Sequence, residues 1–311
     1  MITSEEAPIV CIIIVTFNGE DWIGNCLKTL KMSSGVELNI IVVDNASTDN
    51  TLQIITTFHK DVILLEQKQN LGFGRANNIG IKYAIEILGV ENIFLLNQDT
   101  TIEDENSLRR LIKVLNTNPS YGIISPIHLN DFGSDFDYMF KDYVISVPAL
   151  SEFNKTFFAS KEEIFEVPFI NAAAWLLKGE TIKCVGLFNP IFPHYGEDND
   201  YINRIHKLGK KVGVTTAGTI RHLRFERSLT HKKTTFAKDV QRQYIVALIM
   251  LNNVSYNFTR ALKIFIRYQL AVLFDSIRKY NWRQMKIICS VLLKVTLNFP
   301  SILSNRSHRL P

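Results

Sequence analysis

Two aspartates in this chain each stand close behind a short apolar run. Asp99 follows Ile93–Leu96, and Asp44 follows Ile40–Val43. Such runs are typical of strands buried on both faces of a parallel sheet. Ligands bind in open α/β sheets beyond the carboxyl ends of the strands. A carboxylate there could hold a ligand-borne metal, or accept a hydrogen bond from a ribose hydroxyl or a base imide N–H.

Each aspartate also has a purely structural interpretation. Asp99, with Thr100 and Thr101, could cap the next helix. Asp44 could start a turn before a helix that Ser47 caps. Either residue alone leaves both interpretations open, and the occurrence of two aspartates at separate strand ends favours a ligand site.

Three carboxylates lie within four residues, at Glu197, Asp198 and Asp200. Like charges this close need a cation, a proton or a ligand when they are buried. Arg204 follows Asp200 at the spacing of a helical ion pair, and an acidic first turn of a helix is the structural alternative. The preceding Pro193–Gly196 resembles a shaped loop, which favours a functional site.

A glycine-containing segment with Asn70, Gly72 and Gly74 follows a predicted strand and opens a helix. A dinucleotide-binding fingerprint would require Gly or Ala where Asn77 stands, and no acidic residue ends a suitably placed next strand. This opposes a dinucleotide-dependent oxidoreductase. The glycines would still allow close approach to a phosphate-bearing ligand, with Arg75 supplying positive charge.

His222 follows the last predicted short strand. A lone histidine there is either structural or, close to Asp99, part of a metal shell. The surrounding segment, residues 221–233, is rich in basic side chains that suit a pyrophosphate or a lipid phosphate. These are Arg221, Arg224, Arg227, Lys232 and Lys233.

Alternating strands and helices must position these residues, and the pattern predicts βαβ units and a mostly parallel sheet. The predicted strands are Ile9–Val15, Leu38–Val43, Val62–Leu65, Ile93–Leu96, Gly122–Ser125 and Lys211–Thr216, with a strand or hairpin over Val167–Lys178. The predicted helices are 20–31, 50–58, 74–88, 106–115 and 202–208, and the chain is helical from about 235. Residues 127–165 lose the rhythm and are expected to form loops and short strands.

The C-terminal region is basic and amphipathic. Residues 259–311 contain ten Lys or Arg and one acid, which gives +9, while the first 258 residues carry −4. In the predicted helix Thr259–Tyr280, apolar and charged residues occupy opposite sides. The apolar side comprises Leu262, Phe265, Ile266, Leu270, Leu273 and Ile277, and the charged side comprises Arg260, Lys263, Arg267, Asp275 and Arg278. Its apolar side could lie on a membrane, pack on the catalytic domain or form a homodimer.

Several bulk features indicate an intracellular protein. The four cysteines, Cys11, Cys26, Cys184 and Cys289, have no ligand spacing and are expected to be reduced and buried. The acidic start is unlike a signal peptide, and no apolar run is long enough for a transmembrane helix. We expect a cytoplasmic chain, attached at most peripherally to the inner face of a bacterial membrane, and no nucleic-acid partner.

Five motifs occur together in an order that resembles the inverting family 2 glycosyltransferases, especially the rhamnosyltransferase-like branch. The motifs are Thr16-Phe-Asn18-Gly-Glu20, Val43-Asp44-Asn-Ala-Ser-Thr-Asp49, Asn70-x-Gly72-Phe-Gly74-x-Ala-Asn77-x-x-Gly80, Leu96-Asn-Gln-Asp99 and Gly196-Glu-Asp198-x-Asp200-x-x-x-Arg204. The resemblance covers residues 9–225. It implies an α/β, A-type glycosyltransferase fold with a Rossmann-like mixed sheet, which uses a nucleotide-diphosphate sugar (dTDP-rhamnose or a UDP-hexose) and Mn²⁺ or Mg²⁺.

The resemblance also implies roles for individual residues. Asp198 would be the base, with Glu197 the weaker candidate, and Asp99 with His222 would hold the metal. We assign acceptor or phosphate contacts to Asp200, Arg204 and Arg227. The residues expected to line the nucleotide are Thr16, Asn18, Glu20, Asp44, Asn70, Gly72, Arg75 and Asn97.

The chain departs from the family pattern at two places. Asn97 replaces the first metal-binding aspartate, so we expect weak metal affinity without donor. Asn189-Pro190 replaces an aspartate often found before the base motif. We predict a catalytic domain over 1–235, a basic amphipathic helical region over 236–311, and a glycan acceptor that could be linked to a lipid diphosphate. The alternatives are a non-catalytic sugar-nucleotide or glycan-binding module and, opposed by the absence of a glycine- and lysine-rich phosphate loop, a nucleotidyltransferase.

Overall fold

A nine-stranded mixed sheet crosses the described part of the chain, residues 7–144, 164–223 and 235–307 of a computed structural model. The strands are β1 (Ile9–Thr16), β2 (Glu37–Asp44), β3 (Ile63–Glu66), β4 (Asn92–Asn97), β5 (Thr100–Ile102), β6 (Tyr121–Leu129), β7 (Ile164–Glu166), β8 (Ala174–Lys178) and β9 (Lys211–His222). Their order is β3-β2-β1-β4-β8-β6-β9-β5, with β7 also paired to β9. This is the mixed α/β sheet expected from the resemblance.

The first four strands are parallel, as the alternating pattern predicted. Beyond them the sheet is mixed: β6 and β9 are parallel to each other, whereas β8 runs antiparallel to both β4 and β6. β5 and β7 are also antiparallel to β9. The order changes direction around β1 and β4, where the carboxyl ends of the strands open a crevice suited to a ligand.

Helices cover both faces of the sheet. Those described are α1 (Ile23–Lys31), α2 (Thr51–Phe58), α3 (Phe73–Lys82, continued by a π-helical turn over Tyr83–Ile87), α4 (Ser107–Thr117), α5 (Tyr138–Val144), α6 (Gly179–Val185), α7 (Glu197–Lys207), α8 (Phe236–Asn252), α9 (Phe258–Arg278), α10 (Trp282–Leu297) and α11 (Phe299–Ser307). One apolar core joins the sheet to α1, α2 and α4. A second joins its other face to α3, α5, α6 and α7.

Two of the predicted strands were too short. β6 and β9 extend to Leu129 and His222, and their parallel pairing continues through an irregularity after Pro126. β5 and α6 were not predicted, since a three-residue strand and a seven-residue helix carry little periodic signal. The part of 127–165 that the structure describes contains α5, where loops and short strands were expected.

The helices α8 to α11 pack around a third apolar core that includes Leu248, Phe265 and Val291. Phe192, from the loop before α7, also belongs to this core. The C-terminal helices therefore hold a loop of the α/β region. No single described helix is long and apolar enough to cross a membrane, although α10 and α11, bent by 60°, meet the length and composition together.

Candidate functional site

The carboxyl ends of β1, β2 and β4 bring the predicted nucleotide residues together. In the strand register, Thr16 is paired with Asp44, and Asn97 is paired with Val15 beside it. This arrangement follows from parallel pairing, since strands that run in one direction end at one edge of the sheet. The sequence prediction that these residues share an edge is confirmed.

Asp44 has one carboxylate oxygen engaged and one unused. Its Oδ2 accepts a 3.0 Å hydrogen bond from the Ser47 backbone N–H. Its Oδ1 is buried and has no hydrogen-bond partner within the described residues. The predicted turn at Asp44 is therefore present, but it uses only Oδ2 and leaves Oδ1 without a hydrogen bond among the described residues. A buried acceptor without a partner is costly, which makes Asp44 Oδ1 suited to a donor on a ligand.

Asn18 and Glu20 tie the loop after β1 to the loop after β2. Asn18 adopts a left-handed backbone conformation with φ 46°, and its Oδ1 accepts a 2.9 Å hydrogen bond from the Thr48 N–H. Glu20 Oε2 accepts hydrogen bonds of 3.0 and 2.8 Å from the backbone and side chain of Asn50. Asn18 and Glu20 were predicted to line the nucleotide. In the structure their side chains hold the loop after β1 against the loop after β2.

Gln98 is a site residue that the sequence interpretation missed. Its Oε1 accepts hydrogen bonds from Thr16 Oγ1 and from the Phe17 N–H. Its Nε2 donates to the Phe17 carbonyl at 3.3 Å. Gln98 therefore joins the ends of β1 and β4. The buried Thr16 hydroxyl, which the sequence predicted to contact the nucleotide, donates its hydrogen bond to Gln98 instead. Its position between Asn97 and Asp99 was the only available signal.

Asn70 connects the third loop to the second. Its Oδ1 accepts from Asn45 Nδ2 at 3.0 Å and from the Gly72 N–H at 2.9 Å. Asn45 Oδ1 accepts from the Leu71 N–H at 2.7 Å. We call the sheet edge formed by the carboxyl ends of β1, β2 and β4 the nucleotide edge, after the ligand predicted there. Since Asn45 follows Asp44 directly, this pair of amides holds the start of the glycine segment beside that edge.

The glycines of this segment closely approach another part of the chain, and their approach to a phosphate stays a prediction. Gly72 has φ +81°, and a Cβ there would lie 2.1 Å from the Pro193 carbonyl oxygen. A Cβ on Gly74 would lie 3.5 Å from Glu197 Cβ. Arg75 Nη2 likewise donates to the Pro190 carbonyl at 2.7 Å. The segment therefore seats the acidic loop against α3.

Asp99 and His222 lie side by side. His222 Nε2 is 3.3 Å from Asp99 Oδ1, because β5 pairs with β9 and sets Thr100 opposite His222. The proximity proposed from the sequence is confirmed, and the helix-capping interpretation of Asp99 is wrong, since α4 begins only at Ser107. Within the described residues, no group of three or more His, Cys, Asp or Glu could hold a metal ion.

The acidic segment begins α7 from two left-handed residues, Tyr195 and Gly196. Glu197 is buried, its Oε2 has no partner among the described residues, and burial raises its pKa to about 7. Burial also raises the pKa of the partly buried Asp198. Neighbouring carboxyls with raised pKa values in a shaped loop are suited to moving protons near neutral pH.

Asp200 and Arg204 form a buried ion pair with an N···O distance of 3.0 Å. Arg204 Nη1 also donates to the Val185 carbonyl at 2.7 Å, and Asn189 Nδ2 donates to Asp200 at 3.3 Å. The local pairing predicted from the sequence is confirmed. A buried, paired Asp200 is a correction to its assignment as an acceptor contact, because its carboxylate serves the packing of α7.

Arg204 additionally borders a cavity of about 1050 Å³, with Lys82, Lys183 and the start of α11 on its other walls. This cavity lies apart from Asp44 and Asp99, so its volume does not mark the nucleotide edge. Arg227, the third residue assigned to acceptor or phosphate, lies outside the described residues. The cysteine prediction needs one correction: all four are free, but Cys184 and Cys289 are exposed.

The α8 helix supports the loop that carries the acidic segment. A Cβ on Gly196 would lie 2.9 Å from Ile245 Cγ2 on α8, and Phe192 enters the core of the helical region. Contacts thus run without a break from Asn45 through Asn70 and Gly72 to this loop. The acidic segment is thus tied by packing to the ends of β1, β2 and β4, and the C-terminal helices brace the loop that carries it.

The fold and this site define a nucleotide-sugar transferase of the A-type glycosyltransferase class. Residues 11–185, more than half of the chain, match the family model for glycosyl transferase family 2. The chain belongs to that family. Its place in the rhamnosyltransferase-like branch stays a prediction.

Individual relatives agree with this assignment. The chain is 25% identical over 209 residues to the low-salt glycan biosynthesis hexosyltransferase Agl10 of Haloferax volcanii, spanning 65% of this chain and 63% of that protein. It is similar in fold to the mannosyltransferase PcManGT of Pyrobaculum calidifontis in complex with GDP-Man and Mn²⁺, with TM-score 0.57, 16% identity and coverage of 93% and 75%. It is also similar to S. aureus TarS 1–349 in complex with UDP-GlcNAc, with TM-score 0.56, 15% identity and coverage of 96% and 87%.

Proposed function

We propose that this chain transfers a sugar from a nucleotide-diphosphate sugar to a hydroxyl of a growing surface glycan, with inversion at the anomeric carbon. The observation that carries the proposal is the series of contacts from the loop after Asp44, through Asn70 and Gly72, to the loop that precedes Asp198 at the start of α7. dTDP-rhamnose or a UDP-hexose remains the proposed donor. The GDP-Man and UDP-GlcNAc complexes of the similar structures widen the donors to be tested.

Asp44 is proposed to bind the base. Its unpartnered, buried Oδ1 is an acceptor, and the imide N–H of uracil or thymine is a matching donor. Asn70 and the interlocked Asn18 and Glu20 fix the loops around it. Under this proposal Asp44 would select the base through Oδ1, because its other oxygen, Oδ2, accepts a hydrogen bond from the Ser47 N–H.

Asp99 and His222 are the residues proposed to hold Mn²⁺ or Mg²⁺. They supply one oxygen and one nitrogen donor, which fits a cation that completes its shell with substrate phosphates and water. The bound ion would neutralise charge on the departing diphosphate. With Asn97 in place of a second carboxylate, the protein supplies one negative charge, so we expect metal and donor to bind cooperatively.

Asp198 is proposed to take the proton from the acceptor hydroxyl. The acceptor oxygen forms a bond to the anomeric carbon on the face opposite the leaving group. The bond from that carbon to the phosphate oxygen breaks, and the nucleoside diphosphate leaves with the electron pair. A carboxylate whose pKa is raised by burial is a stronger base than an exposed one, and Glu197 stays the weaker candidate.

The acceptor is proposed to be a glycan, which could be carried on a lipid diphosphate. Arg227, in the basic 221–233 segment, is the phosphate contact we retain, because Arg204 is buried and paired with Asp200. Transfer to a lipid-linked acceptor would take place at a membrane surface, so the protein would attach peripherally to the inner face of a bacterial membrane.

A thermal-shift panel of UDP-, dTDP- and GDP-sugars, each with and without Mn²⁺, tests the proposal. We expect stabilisation by one nucleotide family, enhanced by Mn²⁺, and loss of that shift in Asp44→Asn. The control is Asp61→Asn, an exposed carboxylate paired with Lys31 away from the strand ends. The result against transfer is a donor that binds without being turned over, which would leave a non-catalytic sugar-nucleotide or glycan-binding module.

A further inference from the structure

The α9 helix exposes a row of large apolar side chains. Four residues on one face, Ile266, Leu270, Phe274 and Ile277, are between 45% and 71% exposed. We call these four residues the outer face of α9. The sequence left three environments open for the apolar side of this helix, and in the structure only Phe265 of that side is fully buried. The helix therefore turns much of its apolar surface away from the protein.

The inner side of α9 includes buried polar residues. It buries Gln269 and Ser276 together with Ala261 and Phe265. Both amide atoms of Gln269 are buried without a hydrogen-bond partner among the described residues. Burying such an amide and exposing Leu270 or Phe274 are both unfavourable in water. This orientation becomes favourable if the outer face leaves water by contacting something else.

Cations adjoin the outer face. Lys263, Arg267 and Arg278 are exposed on the same helix. Arg267 and Arg278 lie on the neighbouring arc, and Lys263 lies at the N-terminal end of the outer face itself. The single acid of α9, Asp275, is paired with Lys279 at 2.9 Å. Apolar side chains bordered by unneutralised cations complement a surface that is apolar inside and anionic outside.

Two aromatic side chains extend this surface at the turn between α9 and α10. Tyr280 and Trp282 are 80% and 68% exposed. Tyr and Trp are favoured at the boundary between lipid chains and headgroups, because one end of each ring is apolar and the other can hydrogen-bond. Exposed aromatics in water would otherwise bring no benefit.

We propose that the outer face of α9 lies in the interface of an anionic lipid bilayer, parallel to its surface. The four apolar side chains would enter the boundary between headgroups and acyl chains, and Lys263, Arg267 and Arg278 would contact lipid phosphates. A second copy of the chain fits less well. A two-fold interface would set these cations against their own equivalents, and the described residues of α9 offer no unpaired acid to receive them.

Flotation of the full chain with vesicles tests this proposal. One set is phosphatidylcholine alone, and the other replaces about a third of it with phosphatidylglycerol. We expect flotation with the anionic vesicles, and a fall of about fivefold or more in the bound fraction for Phe274→Ser. The double variant Arg267→Glu and Arg278→Glu should lose about tenfold or more, with the anionic vesicles only.

Phe58→Ser is the matched control. Phe58 ends α2 and is 73% exposed, against 71% for Phe274, so its substitution removes a similar apolar surface elsewhere and should leave flotation unchanged. Circular dichroism checks that each variant folds. Equal flotation with both vesicle types, or none, would overturn the proposal. So would a dimer in light scattering that Phe274→Ser dissolves without any effect on flotation. The surface stands whether or not the proposed transfer reaction is correct.

Discussion

His222 Nε2 lies 3.3 Å from Asp99 Oδ1, across the antiparallel pairing of β5 and β9. The two residues are 123 positions apart in the sequence, and the short strand β5 brings them together. This contact gives the site its only paired carboxylate and imidazole at the nucleotide edge within the described residues.

Replacing Asp99 should uncouple the metal from the nucleotide. Mn²⁺ should increase the nucleotide affinity of the unmodified chain by a certain factor, and we expect this factor to be smaller by about tenfold or more in Asp99→Ala. Binding without metal should change little. Isothermal titration with UDP, dTDP and GDP, with and without Mn²⁺, measures both. Asp61→Asn serves as the distant carboxylate control, and an unchanged metal effect in Asp99→Ala would remove Asp99 from the metal site.

Glu197 should make stability fall as pH rises. Burial raises its pKa from 4.5 to about 7, so the folded chain binds more protons than the unfolded chain between those values. The free energy of unfolding therefore decreases with pH across this window. Glu197→Gln should stabilise the chain by on the order of 1–3 kcal/mol more at about pH 8 than at about pH 5.

Urea unfolding at the two pH values measures this difference. The comparison of one variant at two pH values is its own control, because packing changes would act at both. A stabilisation by Glu197→Gln that is equal at about pH 5 and about pH 8 would show that ionisation of Glu197 is not its cause.

Two left-handed glycines separate backbone strain from collision. Gly89 has φ +65° and a Cβ added there would meet nothing within 4 Å, whereas a Cβ on Gly72 would lie 2.1 Å from the Pro193 carbonyl oxygen. Gly89→Ala should cost about 1 kcal/mol. Gly72→Ala should cost roughly 2–4 kcal/mol, because the loop that carries Asp198 must move.

Turnover should separate the same two variants. We expect Gly89→Ala to retain it and Gly72→Ala to lose most of it, since the displaced loop no longer positions the base. Thermal unfolding and donor turnover are measured on both proteins. If both variants behave alike in the two assays, Gly72 does not seat the acidic loop.

The Asp200–Arg204 pair should matter for folding rather than for the acceptor. Asp200→Asn leaves a buried guanidinium without its charge partner and should cost about 3–5 kcal/mol. The exposed pair Asp275–Lys279 has the same spacing, and Asp275→Asn should cost about 0.5 kcal/mol or less. A small loss for Asp200→Asn, combined with a large rise in KM for acceptor, would restore its predicted contact role.

Much of the α/β scaffold is predictable because its signal is local. The runs that became β1, β2 and β4 are continuous, apolar and followed by polar residues, so both the strands and their ligand-facing ends could be inferred. The family motifs then ordered the site. The adjacency of Asp99 and His222 was inferred without β5, whose three residues gain their conformation from pairing with β9.

Other features depend on tertiary contacts that leave no periodic trace. The glycines of the Asn70 segment predicted a close approach, but only the fold shows that Pro193 makes the approach to Gly72. The bridge from Gln98 to Thr16 joins the ends of β4 and β1 across 82 positions of sequence. The pattern of α9 likewise predicted two contrasting sides, while its orientation is fixed by the packing of α8 and α10 around it.

The base assignment is the central claim, and turnover by Asp198→Asn tests it most directly. The donor selected by the thermal-shift panel is used, release of its nucleoside diphosphate is measured, and its dissociation constant is determined in parallel. We predict that Asp198→Asn loses at least about a hundredfold in turnover while donor affinity stays within about twofold, and that Glu197→Gln retains most turnover. Retained turnover in Asp198→Asn, or equal loss of donor binding and turnover, would contradict the account.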